Sequence, residues 1–242
     1  MKSILAALCL ISCACCTLKA QADFAGAMEA GELKMGGRKV KWGATYFVSP
    51  ENIEAARKDF AKALEMARDD REKASAMEGL ADTFYLGMEY EKARSEDSKI
   101  LLLKGSTPGQ RIDAQFRIAE SFMGYRFKEM PDFPRARAGY SKVLNMDGVS
   151  PENKAMAIFG AGRSFSAERK YAEARAEYAK IFEVEGVRPG LKVEAQYNIG
   201  ANYRAEGKFD MAREAYAKIL EMKEAGPSYR EIARLMIENI YW

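Results

Sequence analysis

The sequence predicts an all-α fold, a right-handed α-α superhelix of stacked antiparallel helix pairs. Three observations indicate this class. From Pro50 onward, apolar residues recur with the period of an amphipathic helix. A small residue followed by an aromatic one returns at similar intervals, and linkers that contain glycine and proline separate the copies. Because one helix pair cannot bury its apolar face alone, such copies are expected to stack around a continuous core.

The second helix of each copy is marked by an alanine. These alanines are Ala56, Ala93, Ala136, Ala174 and Ala212. An aromatic residue stands four positions later in most copies, as Tyr216 does after Ala212. Asp97 is the exception, because it occupies a position where an aromatic residue is expected.

The first helices carry a small residue with an aromatic residue three positions later. The small residues Ala81, Ala119, Gly162 and Gly200 are spaced 38, 43 and 38 residues apart. In the linkers, Gly105, Gly148, Gly186 and Gly226 are expected to end helices in the left-handed conformation, and the prolines at 108, 151, 189 and 227 to begin the next ones. The same register makes the last helix, about 228–241, the first helix of an incomplete unit that caps the stack.

The first 22 residues have a different character. Lys2, the apolar stretch 4–16 and the small-x-small sequence AQA at 20–22 predict a secretory signal peptide over 1–22 and export to the periplasm or cell envelope. An alternative stays open, in which LISC at 10–13 is a lipobox and an acylated Cys13 attaches the protein to a membrane. Residues 23–49, which contain five glycines, are predicted to form an irregular arm before the helical domain at 50–242.

Composition argues against several classes of function. All four cysteines lie in the first 22 residues and the chain has no histidine, so neither a Ser-His or Cys-His pair nor a usual zinc site is expected. Near-balanced charges, 38 basic against 35 acidic, argue against a nucleic-acid partner. The sequence GAG at 160–162 lacks a preceding strand and falls on a packing position, so it predicts no phosphate site. We expect no catalysis, cofactor or metal.

These residues resemble the tetratricopeptide repeat family from about Asn52 to the C terminus, and the copy at 197–220 carries the pattern best. The period is longer than the usual ~34 residues, and no tryptophan occupies the family's tryptophan position. Longer units of this kind resemble those of bacterial cell-envelope proteins. The resemblance implies a non-catalytic scaffold that binds a protein or peptide segment in a concave groove. An enzyme or carbohydrate-binding protein on the same frame stays open as the alternative.

Carried over by position, the resemblance places a set of side chains in this groove. The candidates are Phe116, Phe159, Tyr197, Asp82, Glu120, Arg163, Arg204 and Tyr85. The first three would form an aromatic stripe that anchors a peptide, with acidic charge at one end of the groove and basic charge at the other. The alternative is that the longer helices tuck these aromatic rings into contacts between units.

Two further features are left over after the repeats are assigned. The extra residues between Phe122 and Phe133 include Tyr125, Arg126 and Phe127, which would form a second candidate site at the lip of the stack. A longer first helix with a turn at proline explains the same residues without function. End-to-end homo-oligomers through a terminal helix that includes Tyr241 and Trp242 also stay open.

Overall fold

The computed structural model describes residues 21–35, 48–124 and 130–240. Within these ranges the chain is helical apart from turns and contains no strand, which confirms the predicted all-α class of stacked helix pairs. The predicted signal peptide up to residue 20, the arm over 36–47, the lip residues Tyr125, Arg126 and Phe127, and the terminal Tyr241 and Trp242 lie outside the described residues. No helix in the described part is long and apolar enough to span a bilayer.

Two compact units make up the chain, one up to Ile118 and one from Ala119 onward. The first contains α1 (21–34), α2 (Pro50–Met66), α3 (Asp70–Leu86), α4 (Tyr90–Leu102) and most of α5 (Pro108–Ser121). The second contains the end of α5 and then α6 (Phe133–Leu144), α7 (Pro151–Ala167), α8 (Tyr171–Ala179) with a 3-10 turn (Lys180–Glu183), α9 (Pro189–Ala205), α10 (Phe209–Glu221) and α11 (Pro227–Glu238).

Local sequence signals explain where the helices begin. The side chains of Ser49, Asp69 and Ser150 each accept a hydrogen bond from the backbone N–H three residues on, at 3.2, 2.8 and 3.1 Å. Proline is the first residue of α5, α7, α9 and α11, as predicted.

The linker glycines follow the prediction in two of four cases. Gly148 and Gly186 have φ angles of 74° and 73°, the left-handed conformation expected at a helix end. Gly226 has a φ of −65°. Gly105 is explained by close approach instead, because a Cβ there would lie 2.8 Å from the Cβ of Asp70.

Contacts between glycine and tyrosine hold the pairs of the second unit together. A Cβ at Gly162 would lie 2.7 Å from the ring of Tyr178, and a Cβ at Gly200 would lie 2.7 Å from the ring of Tyr216. Both tyrosines are 1% exposed. Each glycine therefore lets the first helix of a pair lie directly against the aromatic ring of the second.

A second set of glycines receives the aromatic ring of the preceding pair. A Cβ at Gly160 would lie 2.4 Å from the ring of Tyr140, and in the first unit a Cβ at Gly79 would lie 2.4 Å from the ring of Phe60. Each of these two rings is thus held by a glycine of the next first helix. The role of Gly160 and Gly162 is packing, as predicted.

The predicted irregular arm starts with a helix, which corrects the prediction for its described part. Helix α1 packs on α2, since a Cβ at Gly31 would lie 2.8 Å from the ring of Phe60 and Lys34 forms an ion pair with Asp59. Gly31 and Phe60 repeat the relation of Gly200 to Tyr216. Helix α1 is therefore the first helix of an additional pair. It escaped the repeat pattern because its connection to α2 is longer than the turns inside the other pairs.

An ion pair replaces the aromatic–glycine contact between α4 and α5. Asp97 occupies the aromatic position and Arg117 the position that is glycine at 79 and 160. The Arg117 Nε donates a hydrogen bond to the Asp97 Oδ1 at 2.6 Å, and both side chains are buried. Asp97 in place of an aromatic residue is thus accompanied by Arg117 in place of the glycine that would contact it.

Two more carboxylates face the same guanidinium. Its terminal nitrogens lie 3.8 Å from Glu78 and 3.9 Å from Asp82, both on α3. The charges of Asp82 and Glu78 repel a negative charge on Asp97, and the Asp97 Oδ2 is buried with no hydrogen-bond partner among the described residues. Burial therefore raises the pKa of Asp97 to about 7, against the opposing attraction of Arg117.

The raised pKa of Asp97 predicts a specific pH dependence of stability. The folded state holds a proton on Asp97 that the unfolded state releases near pH ~4, so this group stabilises the fold at low pH. That contribution is lost as pH rises from about 4 to about 7. We expect the unfolding free energy of the wild type, minus that of Asp97→Asn, to fall across this window in urea titrations. A difference that is flat or rises with pH would show that Asp97 is ionised throughout.

An arginine follows the marker alanine in the second helix of each pair, and at least three of these arginines stack on the aromatic residue of the next first helix. The stacked pairs are Arg57 on Phe84 at 4.3 Å, Arg137 on Phe165 at 4.2 Å and Arg175 on Tyr203 at 4.0 Å. Each guanidinium also pairs with a glutamate in the following turn: Glu89, Glu168 and Glu206, at 2.8, 2.6 and 2.6 Å. Phe165 and Tyr203 are therefore half-buried under arginine instead of enclosed in the core.

Replacing Arg137 by lysine tests the stacking. Lysine keeps the charge but loses the planar contact with Phe165, so we expect the free energy of unfolding to fall by about 1 kcal/mol. The hydrogen bonds from Lys170 and Arg137 hold the pKa of Glu168 below its usual value, and lysine at 137 should raise that pKa. Chemical denaturation measures the first effect. The exposed Arg188→Lys is the control, and equal stability of both variants would rule out a stacking contribution.

Candidate functional site

The first helices α7, α9 and α11 of the second unit carry equivalent positions that define a row: Phe159, Tyr197 and Leu235, called here the inner row. The register that places Leu235 in it is supported by burial, because Ala233 in α11 is buried like its counterpart Ala195 in α9. Helix α11 thus continues the pattern of α9, as predicted for the first helix of an incomplete unit.

The aromatic rings of the inner row are shared between packing and solvent. Phe159 meets Tyr178 edge-on with ring centres 5.1 Å apart, and Tyr197 lies against Tyr216 at 5.7 Å. Both rings are half-buried, and Leu235 is 43% exposed. One part of each ring therefore serves the helix pair, and the other part is accessible to a partner.

The predicted aromatic positions of the first unit differ from those of the second. Phe116 is only 6% exposed, so it has little surface to offer as an anchor. Tyr85 is half-buried and meets Tyr90 edge-on at 5.3 Å. The stripe predicted as one continuous feature is thus accessible at Phe159 and Tyr197 but not at Phe116.

Most charges of the predicted gradient are engaged inside the protein. Glu120 is buried and accepts hydrogen bonds from the Tyr140 hydroxyl at 2.7 Å and from Arg163 at 2.8 and 2.9 Å. Asp82 is buried near Arg117. These side chains point towards the neighbouring first helix, where a carboxylate and a guanidinium meet, so Asp82 and Glu120 do not form an acidic groove surface.

Arg204 differs from the other predicted charged residues. It is half-buried, and within the described ranges it forms no ion pair. The nearby acids in the sequence are occupied: Glu206 pairs with Arg175 at 2.6 Å and with Lys208 at 2.7 Å, and Asp210 pairs with Arg213 at 3.4 Å. The positive charge of Arg204 is left for a partner.

A pocket of about 390 Å³ lies beside Arg204. Residues of α9, of α10, of α11 and of the turn after α11 line it. Apart from the arginine, its lining is apolar or aromatic: Tyr197, Ala201, Ala205, Phe209, Tyr216, Met236 and Ile240. Burial raises the pKa of Tyr216 to about 12, so its hydroxyl stays neutral. The pocket thus combines apolar walls with one cation.

Hydrogen bonds hold the helices of this region in place. Between α7 and α9, the Ser166 hydroxyl donates to the Asn202 Oδ1 at 2.9 Å. Between α11 and α9, the Tyr229 hydroxyl donates to the Glu194 Oε1 at 2.8 Å. The pocket is therefore formed by elements that are fixed to one another before any partner arrives.

The side chains that line the pocket suit recognition of an apolar or acidic group. The pocket offers a guanidinium, a neutral phenol and apolar surface, and no carboxylate or other base lines it. In the ranges 21–35, 48–124 and 130–240, no three potential metal ligands come together. The one convergence of carboxylates described above, Glu78 and Asp82 with Asp97, is buried around Arg117.

Comparison with known proteins gives a consistent result. The family model described as tetratricopeptide repeat matches residues 44–109 and 159–229, together more than half of the chain. No curated protein matches. Among solved structures, the chain is similar to that of YrrB, described as a TPR protein with an unusual peptide-binding site. The two are 20% identical with a TM-score of 0.48, over 76% of this chain and 84% of that one. The chain belongs to the tetratricopeptide repeat family.

Proposed function

We propose that this protein is a non-catalytic scaffold of the bacterial periplasm or cell envelope, which binds an extended peptide segment along the inner row of its second unit. Proteins of this family bind peptide or protein partners and are generally non-catalytic. The observation that carries the proposal is the inner row itself. Its three apolar side chains are at least partly accessible at equivalent positions on α7, α9 and α11, next to a pocket whose cation forms no ion pair among the described residues.

The choice of the second unit follows from the difference between the units. In the first unit the equivalent positions are Glu78, which faces Arg117, and the buried Phe116. A peptide needs accessible apolar surface for its anchors. Phe159, Tyr197 and Leu235 offer that surface.

The location rests on the sequence of residues 1–22. Mass spectrometry of the mature N terminus, in protein from a fractionated bacterial host, tests it. We expect the chain to begin at Asp23 in the periplasmic fraction. A chain that begins at a lipid-modified Cys13 would support the lipoprotein alternative, and an intact N terminus in the cytoplasm would contradict export.

Peptide selection tests the binding function. The immobilised mature protein is used to enrich peptides from a random library displayed inside a carrier loop, and the enriched sequences are then synthesised with blocked termini. We expect micromolar binding by fluorescence anisotropy, since isolated segments bind family scaffolds through a few anchors. Tyr197→Ala and Leu235→Ser should each weaken it about tenfold or more.

The control is Met211→Ala, which changes an exposed apolar residue of the same unit outside the inner row. It should leave binding unchanged. Enriched peptides that bind both inner-row variants as tightly as the wild type would contradict the proposed site, and a library that yields no binder would contradict the function.

A further inference from the structure

We propose that the bound segment carries an apolar side chain close to an acidic one: the apolar side chain enters the pocket beside α9, and the carboxylate pairs with Arg204. This inference rests on the proposed function and specifies its partner. The partner is a segment of another protein that lies away from the ends of that chain and contains an acidic and an apolar residue. Both residues are recognised at the pocket beside Tyr197.

The pocket lining determines the apolar half of this recognition. Tyr197, Phe209, Met236 and Ile240 provide aromatic and aliphatic walls, and the volume of about 390 Å³ suits one large side chain. Such walls gain free energy when an apolar group displaces water from them. Met236 adds an adaptable contact, because its unbranched side chain adjusts to different ligand shapes.

Charge complementarity determines the acidic half. Arg204 lines the same pocket, is half-buried, and has no ion-pair partner among residues 21–35, 48–124 and 130–240. Glu206, two positions after Arg204 in the sequence, is engaged with Arg175 and Lys208. A carboxylate from outside would meet a guanidinium that no acidic group of the described residues neutralises, and the planar guanidinium can bind it through two hydrogen bonds.

The position of the pocket within the inner row determines that the acidic residue is internal. Tyr197 lines the pocket, with Phe159 of α7 on one side of it in the row and Leu235 of α11 on the other. A segment that uses the row continues past the pocket in both directions. A side-chain carboxylate is therefore the group that reaches Arg204, instead of the carboxylate at the end of a chain.

The test uses the blocked peptides selected above, each made in two forms, with the acidic residue intact or replaced by its amide. Affinities are measured for the full mature protein and for Arg204→Glu, Arg204→Gln and the exposed control Arg188→Glu. We expect the acidic form to bind the wild type about tenfold more tightly than the amide form. Arg204→Glu should remove this preference, Arg204→Gln should reduce it, and Arg188→Glu should preserve it.

A second variant addresses the pocket. Ala201→Phe places a ring in the pocket and should abolish binding of both peptide forms, while the helical circular dichroism and the thermal midpoint stay close to those of the wild type. Peptides that bind with dependence on Tyr197 and Leu235, but equally in acid and amide forms, would overturn this inference and leave the proposed function standing. Peptides that bind the Tyr197 and Leu235 variants as tightly as the wild type would overturn both this inference and the proposed function.

Discussion

Tyr178→Ala is expected to lower the free energy of unfolding by about 3 to 5 kcal/mol. The tyrosine is 1% exposed, and its ring packs directly against the backbone of Gly162. Alanine would leave a cavity at the contact between α7 and α8, and Gly162 has no side chain with which to fill it. Equilibrium urea denaturation of the mature protein measures the loss.

The control for this variant is Phe182→Ala. Phe182 follows the same helix but is 37% exposed, so its loss should cost less than about 1 kcal/mol. Equal effects at the two positions would contradict the packing register, because the register makes Tyr178 the residue that closes the pair and leaves Phe182 outside it.

Arg117→Leu is expected to destabilise the fold by a similar amount, about 3 to 5 kcal/mol. The guanidinium faces Glu78, Asp82 and Asp97 in a buried setting, and its removal would take away the cation that all three carboxylates face. Part of the loss should be recovered at low pH, where these carboxylates take up protons. Urea titrations at neutral and at acidic pH measure both effects.

A double substitution tests whether this ion pair stands in place of the aromatic–glycine contact. Asp97→Phe combined with Arg117→Gly restores the residue types found at Phe60 and Gly79. We expect the double variant to be more stable than Arg117→Gly alone, because the ring fills the space that the arginine leaves and one buried carboxylate is removed. Destabilisation equal to the sum of the two single variants would contradict the equivalence.

The repeat pattern in the sequence predicted the helix pairs and their closest contacts. Gly162 and Gly200 could be assigned to packing positions because the small residue recurs at a regular spacing, but their contacts with Tyr178 and Tyr216 also depend on the turn that joins the two helices. Helix α1 could not be assigned in this way. Its glycine, Gly31, meets Phe60 across a connection whose length follows no repeat.

The side-chain contacts between neighbouring helix pairs were harder to predict. The register placed Glu120 in the groove row, but it does not say that the carboxylate is buried against Arg163 of the next first helix. The arginines after the marker alanines were visible as a regular feature, as at Arg57 and Arg137. Their stacking on Phe84 and Phe165 depends on the neighbouring helix.

The candidate site depends both on the repeat register, which the sequence shows, and on side-chain contacts, which only the structure shows. Tyr197 and Arg204 were available from the register, and Leu235 follows from projecting the same register onto α11. The pocket was not predictable from spacing, because residues from separate parts of the chain, among them Met236 and Ile240, line it together with Arg204. The site also depends on which of the predicted charged residues form ion pairs inside the protein. Only the folded structure shows those ion pairs.

Site-specific cross-linking most directly tests whether a segment binds along the inner row. A photoreactive benzoylphenylalanine replaces Leu235 in one variant and, as a control, the exposed Leu102 of the first unit in another. With a selected peptide at saturating concentration, illumination should produce a cross-linked product at position 235 and none at position 102. Cross-linking at 102 without cross-linking at 235 would contradict a peptide site on the second unit.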